Sequence, residues 1–104
     1  SVSPFDVAIL PLFDKDGMGD VASEILVRVN SMPGLRGEMD SSKSIGRRYA
    51  RVDEIGVPWA ITVDHETLEN GSVTVRRRDD QKQVRASVDD VVLNLAAGTV
   101  SSLF

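Results

Sequence analysis

The sequence predicts an α/β domain built on one mixed, five-stranded sheet covered by helices. Three observations predict it. Short apolar runs alternate with segments of helical spacing over the first two-thirds of the chain. The helical crossovers make the first three strands parallel, through right-handed connections. A strand-forming stretch that follows Asn70-Gly71 then turns the fourth strand antiparallel. The resulting order is β-α-β-α-β-β-β-α.

Residues 7–12 (VAILPL) are apolar on both faces and suit a central buried strand. Asp14-Lys15-Asp16-Gly17 reads as a loop. Asp20 is placed to cap a first helix whose apolar positions are Val21, Ile25 and Val29, with Ala22 and Leu26 beside them. Pro33-Gly34 ends that helix. Residues 35–39 form a weak strand expected at an edge. A small-residue loop, 41–44, leads to Ser44, a good N-cap. The second helix carries Ile45, Tyr49, Val52 and Ile55 as its apolar stripe, with Arg47, Arg51 and Glu54 on another face, and stops at Gly56. Trp59–Val63 is the third strand, beginning just after Pro58. Asn70-Gly71 signals a hairpin, and 72–76 is the return strand. After the turn Asp79-Asp80-Gln81-Lys82, Gln83–Ser87 makes a short fifth strand. Ser87 caps a last helix that turns Val88, Val91, Val92 and Leu95 inward and ends at Gly98.

The 104 residues suffice for one domain with one core, taken as 1–104, and the 41% hydrophobic and 27% charged composition is that of a soluble globule. With no cysteine there is no disulfide framework, thiol nucleophile or Cys-based zinc site. No apolar run approaches the length that spans a bilayer. The start, Ser1-Val2-Ser3-Pro4, lacks both a signal-peptide pattern and an initiator Met, so a piece of a longer chain is expected. A reducing, cytosolic setting fits.

A net charge of −4 argues against a general nucleic-acid binder, but its distribution does not. Nine of the twelve basic residues fall in two stretches: Lys43, Arg47, Arg48 and Arg51, then Arg76, Arg77, Arg78, Lys82 and Arg85. A local basic surface on an acidic body is expected. The second helix also orders its charges against its macrodipole, with arginines early and Asp53-Glu54 late. Such an order implies a competing demand.

No enzyme site assembles convincingly. His65 is the only histidine and offers no partner for a zinc site. No Gly-x-Ser-x-Gly elbow accompanies it. Asp53, Glu54 and Asp64 could cluster for acid–base work. Gly17-Met18-Gly19 is an incomplete phosphate loop. Arg76-Arg77-Arg78 is more telling: strand alternation sends Arg76 and Arg78 to one face and Arg77 to the other, and arginine offers a planar fork for phosphates and bases.

The stretch SIGRRYARVDEIG, followed by VPWAITVD and VTVRRRDDQKQVR, resembles the C-terminal anticodon-binding domain of glycyl-tRNA synthetases of the eukaryotic and archaeal type. The resemblance runs from about Pro4 to Gly98. It implies a three-layer fold with strand order 2-1-3-4-5, strand 4 antiparallel, and three helices. It also implies a module that positions tRNA-Gly for ATP-dependent aminoacylation by a catalytic domain elsewhere in the same chain, because the class II catalytic motifs are absent here. No cofactor is expected in this domain, ATP and magnesium belonging to that catalytic domain. The parent enzyme is expected to be a cytoplasmic homodimer, with a mitochondrial isoform as the alternative, and the fragment a monomer. Three other readings stay open: a synthetase-like accessory domain that binds protein or another nucleic acid, the anticodon-binding domain of another class II synthetase, and a small stand-alone α/β enzyme working at the strand ends.

Glycine codons begin with two guanines, so the last two anticodon bases are cytosines. A cytosine edge offers an amino donor to Asp or Glu and acceptors to Arg, and loop bases can stack on aromatic or guanidinium planes. On this basis Arg47 is expected to contact the anticodon, with Arg76 and Arg78 flanking the pocket. Thr62 and Asp64 supply hydrogen bonds and His65 a stacking surface. Arg51, Asp53 and Glu54 complete the expected set. Arg48 and Arg51 are also expected to pair with Asp53 and Glu54, and Tyr49 to lie in the core.

Overall fold

The computed structural model describes residues 3–13, 15–41 and 44–104. The expectations placed on Asp14, Ser42 and Lys43, and on the first two residues, lie outside the described residues. The elements are β1 (Val7–Pro11), α1 (Met18–Asn30), β2 (Gly37–Met39), α2 (Ile45–Glu54), β3 (Trp59–Val63), α3 (His65–Asn70), β4 (Ser72–Arg77), β5 (Gln83–Ser87), α4 (Val88–Ala97) and a closing 3-10 turn, Val100–Leu103. The sheet order is β2-β1-β3-β4-β5. β1 pairs in parallel with β2 and β3, whereas β3–β4 and β4–β5 are antiparallel. Every residue of the central strand β1 is buried, as expected of a strand covered on both faces.

Strand alternation divides the core into two layers. On one face Val7, Ile9, Ile61, Val63, Val73 and Val75 pack against Met18, Ala22, Ile25 and Val29 of α1 and Val91 and Leu95 of α4. Val100 closes this layer from the 3-10 turn. On the opposite face Ala8, Leu10 and Ala60 meet Val52 of α2 and Val57, with Phe5, Ile45, Tyr49 and Ile55 at the rim. Among the described residues α2 is the one helix that contributes to this layer. Beside it the sheet presents Thr74 and Arg76 of β4, whose register partners on β5 are Arg85 and Gln83. The second face is therefore half apolar and covered, half polar and open.

Several local expectations hold. Ser44 accepts a hydrogen bond from the Arg47 amide at 3.4 Å, and Ser87 one from the Asp90 amide at 3.1 Å. Gly98 ends α4 at a φ of 72°.

Others are corrected. Among the described residues there are four α-helices rather than three. Asn70-Gly71 does not make a tight hairpin between β3 and β4. The link is the short helix α3, opened by a capping box between Asp64 and Thr67 and closed at Gly71, whose φ is 72°. The same left-handed tolerance that makes Asn-Gly a hairpin signal also makes it a helix stop. Helix α1 starts at Met18 after Gly17, so Asp20 lies in its first turn instead of capping it. The edge strand keeps only Gly37–Met39 of the expected 35–39.

Candidate nucleic-acid interface

Arg48 explains part of the wrong-way charge order in α2. It is only 3% exposed. Its guanidinium donates to the backbone carbonyls of Pro11 (2.6 Å), Asp40 (2.8 Å) and Leu12 (3.2 Å). These carbonyls lie at or just beyond the ends of β1 and β2. Only its Nε is left without a bond. The expected pairing of Arg48 with Asp53 or Glu54 is thus overturned, because the buried strand ends offer acceptors that helix neighbours cannot replace. Arg51 is corrected likewise: it bridges to Glu38 of β2 at 2.6 Å and to Asp40 at 3.4 Å. The hydrogen bond to Glu38 outweighs desolvation and raises the Arg51 pKa.

The other edge of α2 faces β4. Asp53 receives both terminal nitrogens of Arg76, at 2.7 and 2.8 Å, a bidentate fork that fixes both side chains. The Arg76 guanidinium lies 4.9 Å from the centroid of the Tyr49 ring. The Tyr49 hydroxyl lies 2.5 Å from the Thr62 hydroxyl on β3. Tyr49 therefore joins the site through its hydroxyl while its ring packs on the smaller core. Arg78 Nε donates to the Asp53 carbonyl at 3.2 Å, and its head is 3.6 Å from Asp79. A continuous polar line thus runs Thr62, Tyr49, Arg76, Asp53, Arg78. At its lower end Asp53, Arg78, Asp79 and Gln81 line an open recess of about 340 Å³, with donors and acceptors side by side.

At the upper end Asp64 is committed twice. One oxygen caps α3 by accepting from the Thr67 amide at 3.1 Å, and the other accepts from Arg85. Burial pushes the Asp64 carboxyl up, but the bonds from Arg85 and Thr67 outweigh it and hold the group below its usual range. Arg85 also reaches Glu66 at 3.0 Å. His65 is exposed at the start of α3, its ring 6.4 Å from that of Phe13. Arg47 is exposed in the first turn of α2, with no side-chain partner among the described residues, and Glu54 is likewise exposed and unpaired at the far end.

The structure brings Asp53, Thr62, Arg76 and Arg78 into one cluster and leaves Arg51 on the far edge of α2. Arg77 turns to the other face, as alternation requires, and lies 4.4 Å from the Phe104 ring. It bonds Asp80 and holds that carboxyl down to about 2. Sequence reasoning missed Arg85, which the alternation of β5 opposite Thr74 could have placed on the open face. It also missed Phe13, which carried no periodic signal. Among the described residues no group of three or more His, Asp or Glu could hold a metal ion, and no helix is long and apolar enough to cross a membrane.

A five-stranded sheet of this order, with one helix beside an open polar half-face, matches a known domain type. The model of the family described as "Anticodon binding domain" matches residues 6–97. The chain belongs to that family. Relatives of this anticodon-binding domain include the glycine–tRNA ligase of Methanothermobacter thermautotrophicus, 53% identical over 94 residues. That match covers 90% of this chain and 16% of the relative. The glycine–tRNA ligase of Methanothrix thermoacetophila is 49% identical over 102 residues, covering 95% of this chain and 18% of its own length. The anticodon-binding domain thus spans less than a fifth of these curated relatives. Among solved structures, the RNA-binding domain of threonyl-tRNA synthetase from Cryptosporidium parvum superposes with a TM-score of 0.77 over 96% of this chain and 24% of its own. At 17% identity that likeness concerns the fold.

Proposed function

We propose that this domain reads the anticodon loop of tRNA-Gly as part of a glycine–tRNA ligase. Catalysis, with its ATP and magnesium, belongs to a catalytic domain elsewhere in the parent chain. The parent works as a cytoplasmic homodimer, with a mitochondrial form as the alternative address, and the isolated domain is monomeric and non-catalytic.

The observation that carries the reading is the polar line on the open half-face beside α2. Two consecutive cytosines require carboxylate and carbonyl acceptors for their amino groups and donors for their ring acceptors. The Asp53–Arg76 fork holds both kinds of group rigid at the centre. Arg78, Glu54 and the recess around Gln81 offer the outward valences, and Arg47 stands exposed at the other end of the same helix. Preset polar groups discriminate well, because a wrong base leaves them desolvated and unpaired. The identity to archaeal glycine–tRNA ligases supports glycine as the amino acid served.

The test is binding of the domain to two anticodon stem-loops. One ends its anticodon in two cytosines and the other replaces both with uracils. Preference for the first by about tenfold, the scale of one lost base contact, is expected. Equal affinity for the two loops would overturn the reading.

A further inference from the structure

We propose that Phe13 is a stacking platform for one unpaired base of the RNA loop, with Lys15 beside it as a phosphate contact. The inference rests on the functional reading above.

Phe13 is a large ring left 49% exposed in the link between β1 and α1. Its ring lies beside a cation and an imidazole. The Lys15 ammonium stands 4.9 Å from its centroid, and the His65 ring is tilted at 47° to it, 6.4 Å away. A lone aromatic set among a cation and an imidazole is poor docking ground for an apolar protein surface, which needs a contiguous patch. It is the composition that single-stranded nucleic acid selects: a π-face for the base and cations for the backbone.

The backbone that leads into Phe13 is held in advance. The Leu12 amide donates to the Val63 carbonyl at 2.8 Å, and Arg48 bonds the carbonyls of Pro11 and Leu12. The residue before Phe13 is therefore tied to β3 and to α2 together. The backbone on that side of the ring therefore adds little ordering cost when a base arrives. The position is continuous with the candidate interface. Arg48, which holds the root of the link, neighbours Arg47 in the first turn of α2. His65 follows Asp64, whose carboxylate takes Arg85 from the open face. A loop whose bases lie along the polar line thus has an aromatic surface at the upper end of its path.

The experiment titrates the 104-residue chain with the two-cytosine anticodon stem-loop at low salt, followed by NMR so that weak binding is measurable. Wild type is compared with Phe13→Leu, which keeps an apolar side chain without the π-face, and with Phe13→Trp. Leucine is expected to weaken binding by roughly fivefold or more, and tryptophan to stay within about twofold of wild type. In the wild type the Phe13 ring protons should shift upfield as RNA is added. If Phe13→Leu binds as wild type does and the ring signals stay still, the stacking proposal is overturned while the anticodon reading stands. The same result together with impaired association with a catalytic domain would assign Phe13 to a protein contact and equally overturn it. If wild type fails to bind the stem-loop at all, the functional reading falls and this inference with it.

Discussion

The two faces of the sheet are held by different physics. Under α1 and α4, thirteen buried hydrophobic residues form one continuous layer. Under α2 five do, and the rest of that face is organised by Arg48, Arg51, Arg76 and Arg85 in directional bonds to carbonyls and carboxylates. Apolar packing is non-directional and supplies stability in proportion to area. Forked hydrogen bonds supply position. The half-open face is built where side chains must stand at set places, and the closed face where they need only fill space. The basic stretches are thereby redistributed. Four arginines of the second face are spent on scaffold, and Arg47, with the outward side of Arg78, is left for a ligand.

The comparison can be sharpened by substitution, beginning with the largest effect. Ile9→Ala, in the closed layer, should cost about 2–5 kcal/mol in urea denaturation. Arg48→Met should cost about 3 kcal/mol by the same measurement, because it strips donors from buried carbonyls. Unchanged stability of Arg48→Met would mean that the strand ends need no clasp. Arg76→Met should lose about 1–3 kcal/mol and leave Asp53 without its partner. Stem-loop binding should drop in parallel, and intact binding would remove the fork from the site. Arg47→Ala inverts the pattern. Its stability should stay within about 0.5 kcal/mol of wild type, while stem-loop affinity falls several-fold and the salt slope of binding becomes shallower. In a glycine–tRNA ligase that carries this domain, the loss should appear in the KM for tRNA. A variant that binds RNA like wild type would show that the exposed arginine is idle.

Acid offers a gentler probe. The carboxyls of Asp64 and Asp80 lie below their ordinary values, the latter at about 2. Their stabilisation is complete above the unfolded value of roughly 3.9 and fades as pH falls through the folded values. Urea midpoints should therefore decline from about pH 4 toward 2. The decline should be shallower in Asp64→Asn, which no longer carries a proton-linked partner for Arg85. A variant as acid-sensitive as wild type would place the loss elsewhere.

What the sequence reveals follows the range of each interaction. Ser44 and Ser87 cap their helices across three residues, and β1 reads as central from its own apolar run, so these were legible. The facing of Arg76 and Arg78 followed from strand alternation alone. Partners of charged side chains were not legible. Arg48 meets Pro11 across 37 positions and Arg76 meets Asp53 across 23. Nothing local distinguishes the choice Arg48 makes from the helix neighbours first expected for it. Helix α3 was hidden for a different reason: at six residues it is too short for a period, and its stop residue doubles as a turn signal. The candidate site was legible in composition, as arginines interleaved with carboxylates, but its wiring required the fold.

The Arg48 clasp has one more consequence. All three of its acceptors are main-chain carbonyls, of residues 11, 12 and 40. Main-chain oxygens persist whatever side chains those positions carry. The clasp itself therefore does not depend on which side chains those positions carry. An exchange at Phe13 or Lys15 would leave all three of these bonds available. The tie itself is not exchangeable in the same way, since a lysine ammonium lacks the flat fork that reaches three carbonyls at once.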